Sequence, residues 1–174
     1  MTLFDEIAEG AEHESALWAQ SLRPVDSREP LPVFSPLVPD PAQALGLETI
    51  YEGYLLHYGR SRLFAPTDQD IALLLGDTLL AHGLVRIAEL GDVVAVGDLA
   101  QLLSLCAQVR AAGRGGDAPA WAATAAHLGR GGIEAARASL RERGDAQPLE
   151  QAARTKSGDA AVDTALAAHR HFFS

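Results

Sequence analysis

The run from Ile71 to Leu90 constrains the fold of this chain most, because it is apolar on nearly every face. The interruptions to it are Gly76, Asp77, Thr78, His82, Gly83, Arg86 and Glu89. A helix that is hydrophobic almost all round is normally buried. We therefore predict an all-α helical bundle built around a buried central helix at about 67–90.

Helix signals lie on both sides of this run. Asp40-Pro41 predicts the start of a helix that continues to about Arg62, since an aspartate cap followed by proline suits a first helical turn. Gly91 separates the central helix from a further helix predicted at 93–112. No stretch alternates apolar and polar residues over more than a few positions, so no strand is predicted.

Changes in amino-acid composition along the chain predict four segments. Residues 1–23 form an acidic amphipathic helix, and residues 24–41 form an extended strap in which six prolines exclude a helix or a central strand. Residues 42–113 make the helical core. Residues 114–174 are alanine-rich and interrupted by glycine, which predicts a helical subdomain or an arm laid on a partner.

The strap and the C-terminus carry apolar side chains that suit docking. Four strap residues are too apolar for a free linker, and the chain ends in two phenylalanines: the docking candidates are Val33, Phe34, Leu37, Val38, Phe172 and Phe173. The alternative for the strap is an internal wrap on its own domain. The alternative for the C-terminus is a frayed end.

The charge distribution excludes one class of partner. The chain of 174 residues has a net charge of −9, with 16 acidic and 5 basic residues in 1–98 and 7 acidic and 9 basic residues in 99–174. Broad nucleic-acid binding needs a coherent basic surface, which this balance lacks. An acidic face can instead meet a basic partner, or simply keep neighbouring molecules apart.

Three observations bear on localisation. Cys106 is the single cysteine, so no internal disulfide can form, and its apolar setting predicts a buried side chain in a reducing compartment. The acidic N-terminus lacks the basic and apolar regions of a signal peptide. Asp77, His82 and Arg86 would each be costly in lipid, so we predict a cytoplasmic protein without a membrane span. Peripheral association with a membrane complex remains open.

The polar residues of the central helix are candidates for a cluster in the core. A buried carboxylate needs a partner, and the arginines at the end of the preceding helix could pair with Asp77. The candidate cluster contains Asp77, His82, Arg86, Arg60 and Arg62, either as a structural pairing or as the lining of a cavity. Because no Glu-x-x-His pair occurs, we predict no carboxylate-bridged metal site and no cofactor.

A family resemblance supplies a more specific hypothesis. The stretch YEGYLLHYGRSRLFAPTDQDIALLLGDTLLAHGLVRIAELGD, with the following DLAQLLSLCAQVRAAG, resembles the trans-isoprenyl (polyprenyl) diphosphate synthases over about residues 50–113. Leu74-Leu75-Gly76-Asp77 is similar to that family's LLGD-type helix, which follows its first aspartate-rich motif. The two Asp-Asp-x-x-Asp motifs that bind magnesium diphosphate in the family are absent here. The resemblance therefore implies a non-catalytic partner, like the small subunits of heteromeric synthases.

We accordingly expect a non-catalytic helical subunit that acts through protein contacts, in a hetero-oligomer or a homodimer, beside a polyprenyl diphosphate synthase. An accessory subunit of a larger assembly, such as a membrane-associated respiratory complex, is the first alternative. A small ligand-binding bundle that uses Asp77, His82 and Arg86 is the second. The residues predict no catalytic site in the chain alone.

Overall fold

The computed structural model describes all residues, 1–174, and confirms the predicted all-α helical bundle. Three short 3₁₀ turns interrupt residues 24–43, and a single isolated bridge joins Leu22 to Phe64. The α-helices are α1 (Leu3–Glu14), α2 (Ala16–Ser21), α3 (Ala44–Tyr58), α4 (Gln69–Glu89), α5 (Val93–Ala111), α6 (Asp117–Ala126), α7 (Glu134–Arg143), α8 (Gln147–Ser157) and α9 (Asp159–His171).

Side-chain caps set the beginnings of several helices. Asp68 accepts a hydrogen bond from the Ile71 amide at the start of α4, and Asp92 accepts one from the Ala95 amide at the start of α5. The predicted N-terminal helix is interrupted, because Ser15 is extended and caps α2 itself. The acidic segment at 1–23 is therefore two helices rather than one.

The helix at the centre of the fold is α3, and the prediction that α4 is the buried helix is wrong. Every residue from Gly46 to Leu55 is buried. In α4 the buried residues are Leu75, Gly76, Leu79, Gly83 and Ile87. Position within the bundle, rather than hydrophobicity alone, decides which helix is enclosed.

Paired glycines allow α3 and α4 to pack with their backbones in close contact. A Cβ on Gly46 would lie 3.1 Å from the Gly83 carbonyl oxygen, and one on Gly53 would lie 2.7 Å from that of Gly76. The glycines are seven residues apart in each helix and meet in reverse order, so α4 runs antiparallel to α3. Only glycine accommodates such an approach.

Helix α5 lies against α3 in the parallel direction. At its start, Asp92 Oδ2 accepts a hydrogen bond from Gln43 Nε2 at 2.9 Å. Near its end, Arg110 Nε donates to the Tyr54 hydroxyl at 2.9 Å. Helices α4 and α5 therefore run in opposite directions on the same central helix.

The C-terminal third packs into the main core of this chain. One hydrophobic cluster of 30 buried residues extends from the strap through α3 and α5 to α9. Trp121 of α6, Leu149 of α8 and Val162 of α9 are completely buried within it. A smaller cluster of 8 buried residues lies beneath α1 and the first half of α4.

Candidate interaction surface

The polar residues of α4 do not form the predicted cluster. Asp77 has a side chain that is 71% exposed, and its Oδ1 lies 3.0 Å from His57 Nε2 without hydrogen-bond alignment. His82 Nε2 lies 3.4 Å from Glu14 Oε1 on the side facing α1. Arg86 donates a hydrogen bond to a threonine hydroxyl of α3 at 3.2 Å. Each residue has a different partner, and no shared cavity joins them.

Arg60 lies at the molecular surface and connects the strap to the C-terminus. Its guanidinium pairs with Glu29, and Nε2 of His171 lies 2.9 Å from Glu29 Oε2. Hydrogen bonds from Arg60 and then from His171 lower the pKa of Glu29 to about 2. The backbone amide of Arg60 also donates to the Phe172 carbonyl at 2.8 Å. Arg60 therefore has no contact with Asp77.

Arg62 is the one member of the predicted cluster that is completely buried. Its Nε donates to Glu52 Oε2 at 2.8 Å, and its Nη1 donates to Glu48 Oε2 at 2.5 Å and to the Leu31 carbonyl at 2.8 Å. Glu48 in turn accepts the Val33 amide at 3.0 Å. Buried charges persist when they are paired and hydrogen-bonded. This network fixes the strap to α3 and is structural.

The six residues predicted to dock a partner pack within this chain instead. Val33, Phe34, Leu37 and Phe172 are buried, and Val38 and Phe173 are half-buried against the main core. The internal wrap is thus the arrangement found for the strap. The prediction that these residues form a docking surface is corrected, because their side chains are not on the surface.

A second polar network, partly buried, joins α3, α5, α6 and α9. Asp117 Oδ2 accepts a hydrogen bond from the Tyr54 hydroxyl at 2.8 Å and pairs with Arg110. His169 Nε2 lies 3.4 Å from the same carboxylate oxygen, while its Nδ1 lies 2.9 Å from the Tyr51 hydroxyl. These residues are scattered over 118 positions of sequence, so no local motif could indicate the network.

The tyrosines and His169 of this network are buried, whereas Arg110 and Asp117 keep 28% and 13% of their side chains exposed. Burial raises the pKa of Tyr51 and of Tyr54. Burial also acts to raise the pKa of Asp117, but the hydrogen bonds that it accepts outweigh burial and lower it. The ring of Phe173 stacks over His169 at 4.4 Å between centroids. The four surface clefts lie elsewhere, and the largest, of about 610 Å³, opens broadly between α7 and α8.

The feature that the chain leaves uncovered is the outer side of α4. Leu74 and Val85 are 57% and 54% exposed, and Ala81 and Ala88 are exposed between and beyond them. Together with Thr78, these residues recur at alternating intervals of four and three. This is the spacing of a seam that packs against another helix.

The outer side of α5 repeats the pattern with smaller side chains. Val93, Gly97, Ala100, Ser104 and Ala107 recur at the same alternating intervals of four and three, and all are exposed. A Cβ added to Gly97 would have no neighbouring atom within 4 Å. We define the α4–α5 face as these two seams, Leu74–Ala88 and Val93–Ala107.

The seam positions themselves are uncharged, but Asp77, whose side chain is 71% exposed, lies beside the α4 seam between Leu74 and Ala81. Asp98, the one charged residue between Val93 and Gln108, is buried and pairs with Arg137 at 3.2 Å. Further exposed charges lie at the margin of the face. Asp70 and Arg114 are both exposed, at the start of α4 and just beyond the end of α5. Because α4 and α5 are antiparallel, these opposite charges lie at the same end of the face.

Helices α4 and α5 are also long and apolar enough to cross a membrane by length and composition. The core helix of a soluble protein passes the same test, so this is weak support for a span. However, only 28% and 39% of their apolar windows are buried within the chain. The prediction that the chain has no membrane span stays a prediction.

No family model matches this chain, and no curated protein or solved structure matches it.

Proposed function

We propose that this chain is a non-catalytic helical subunit that acts by binding another protein through its α4–α5 face. The observation that carries the proposal is a mostly apolar surface along two helices, with Asp77 as an exposed charge beside it, that the rest of the chain leaves uncovered. Single exposed apolar residues are ordinary, but contiguous patches of more than a few hundred Å² are rare on monomers and mark interaction sites.

The partner to test first is a polyprenyl diphosphate synthase. The resemblance over residues 50–113 includes α4 and α5, and it brings no Asp-Asp-x-x-Asp motif with it. A chain with the helical segment of such an enzyme but without its metal-binding carboxylates suits a regulatory or scaffolding role beside a catalytic chain.

An accessory subunit of a larger assembly uses the same face and is the alternative. The ligand-binding alternative has less support, because Asp77, His82 and Arg86 have three separate partners. The partly buried network around Asp117 has no cleft through which a ligand could enter.

The experiment is affinity capture of the tagged chain from its native host, with Val85→Glu and Val25→Glu variants compared in parallel. Val25 is 72% exposed and lies in the strap, so Val25→Glu adds the same charge away from the face. A polyprenyl diphosphate synthase that is retained by the wild type and Val25→Glu, but lost with Val85→Glu, would support the proposal. An assay of product chain length with and without the wild-type chain would then test the activity.

Retention of other complex subunits would favour the accessory role. If Val85→Glu captures the same proteins as the wild type, the proposal that the partner binds this face is contradicted.

A further inference from the structure

We propose that the α4–α5 face binds a second copy of this chain, with α4 of one protomer lying on α5 of its partner. The inference rests on the proposed function, because both place a protein on the same face. It goes further because it names what covers the face in the isolated protein, namely a second copy of this chain. A heterologous partner with similar helices would displace one copy.

The first support is complementarity of size between the two seams. The α4 seam has branched side chains at Leu74 and Val85, which are eleven residues or about 16 Å apart along a helix. The α5 seam has small residues at Gly97 and Ala107, ten residues or about 15 Å apart. The large residues of α4 therefore match the small residues of α5 in spacing.

The second support is the direction of the helices. Helix α4 runs antiparallel to α3 and α5 runs parallel to it, so Val85 and Gly97 lie toward one end of the face, with Leu74 and Ala107 toward the other. A two-fold axis parallel to the helices places α4 of one protomer opposite α5 of the other. It leaves the position of each residue along the helix direction unchanged. Each branched residue then meets a small residue of the partner, as an isologous interface requires.

The third support is charge. The protein as a whole has a charge of −9, which opposes self-association. Between the seams this repulsion is small, because the seam positions are uncharged and Asp77, exposed beside the α4 seam, would face the uncharged outer side of the partner's α5. At the margin, the exchange of α4 and α5 brings Asp70 of one protomer close to Arg114 of the other. The two-fold pairing is therefore the arrangement in which like charges are kept apart.

The face is large enough for a dimer of moderate affinity. Two helices of 21 and 19 residues are each about 30 Å long, and side by side they cover about 20 Å. The resulting area of about 600 Å² per protomer lies at the lower end of specific protein interfaces. The dimer should therefore dissociate on dilution, in a range that sedimentation can follow.

The test is sedimentation equilibrium of the full-length protein over a range of concentrations. We expect the wild type to approach twice its chain mass of 18.4 kDa. Val85→Glu and Gly97→Leu should each raise the dissociation constant by about 30-fold or more, because a charge or a bulky side chain would disrupt the contact between the two seams. Gly97→Leu enters open space in the monomer, so circular dichroism should show that it stays folded. Val25→Glu should dimerise like the wild type.

A wild type that stays monomeric at all concentrations would overturn the proposal, as would equal dimerisation of all four proteins. A monomer that floats with phosphatidylcholine vesicles would also overturn it and assign the face to lipid. The two proposals can fail separately. If the protein is a monomer but still captures another protein through Val85, only the proposed self-association is wrong. If it is a dimer that captures no other protein, only the proposed role beside another chain is wrong.

Discussion

Gly83 of α4 lies directly against Ile50 of α3, so that a Cβ on Gly83 would stand 2.3 Å from Ile50 Cγ1. The close approach of the two backbones encloses the inner side of α4. It also means that α4 has used its small residues on α3, while its outer side keeps leucine, valine and alanine. The exposed face thus follows from the way in which the central helices pack.

The first prediction concerns this contact. Gly83→Ala should destabilise the fold by about 1–3 kcal/mol, because the added methyl group meets both Ile50 and the Gly46 backbone. Gly97→Ala is the matched control, since its methyl group meets nothing, and it should be neutral or stabilise by up to about 1 kcal/mol. Urea unfolding measures both. Equal effects of the two variants would contradict the glycine packing.

The second prediction concerns the buried ion network of the strap. Arg62→Met should destabilise the protein by about 3–5 kcal/mol, because Glu48 and Glu52 lose the charge that compensates them in the core. Arg141→Met, at an exposed arginine of α7 without an ion pair, is the control and should change the urea midpoint little. If Arg62→Met unfolds at the wild-type midpoint, the strap does not depend on this network.

The third prediction is a pH dependence that originates from Asp117. Its pKa is lowered in the folded protein by hydrogen bonds that outweigh burial, so its stabilisation is present above the unfolded pKa of about 3.9 and is lost as the pH falls below it. Asp117→Asn should therefore be less stable than the wild type at pH 7, by about 1–3 kcal/mol. The difference between the urea midpoints of the wild type and Asp117→Asn should become smaller as the pH is lowered from 7 to 3. A constant difference would exclude this carboxylate as the source.

The fourth prediction concerns Cys106. Its side chain is completely buried, and burial raises the pKa of its thiol, so the reactive thiolate is scarce in the folded state. Ellman's reagent should label the thiol only as the protein unfolds, in parallel with the loss of helical circular dichroism. Rapid labelling under native conditions would show that α5 opens locally.

The sequence was sufficient to predict the helices but not how far each of them is buried. The caps at Asp68 and Asp92 are local signals, and the helices that follow them begin where predicted. Burial is decided by neighbours, and α3 is enclosed by elements that are distant in sequence. The apolar character of α4 on all sides was interpreted as burial, although it also fits a helix with one side in the core and the other at an interface.

The side-chain networks could not be predicted from the sequence for the same reason. The sequence offers Arg60 or Arg62 as a partner for Asp77, but the partners of Arg62 are Glu48 and Glu52 on α3. Asp117 and His169 come together only because α9 packs against α6. One signal was available and was missed, namely the glycines seven residues apart in both α3 and α4.

The most direct test of the central claim is photo-crosslinking in cells of the native host. A photoreactive phenylalanine analogue is introduced at Val85, and in a matched protein at Val25. If the α4–α5 face is covered by protein, the probe at Val85 should give a discrete adduct, with a mass of twice the chain for a second copy or of the chain plus a partner otherwise. The probe at Val25 should give none. No adduct at Val85, or the same adducts at both positions, would contradict the account.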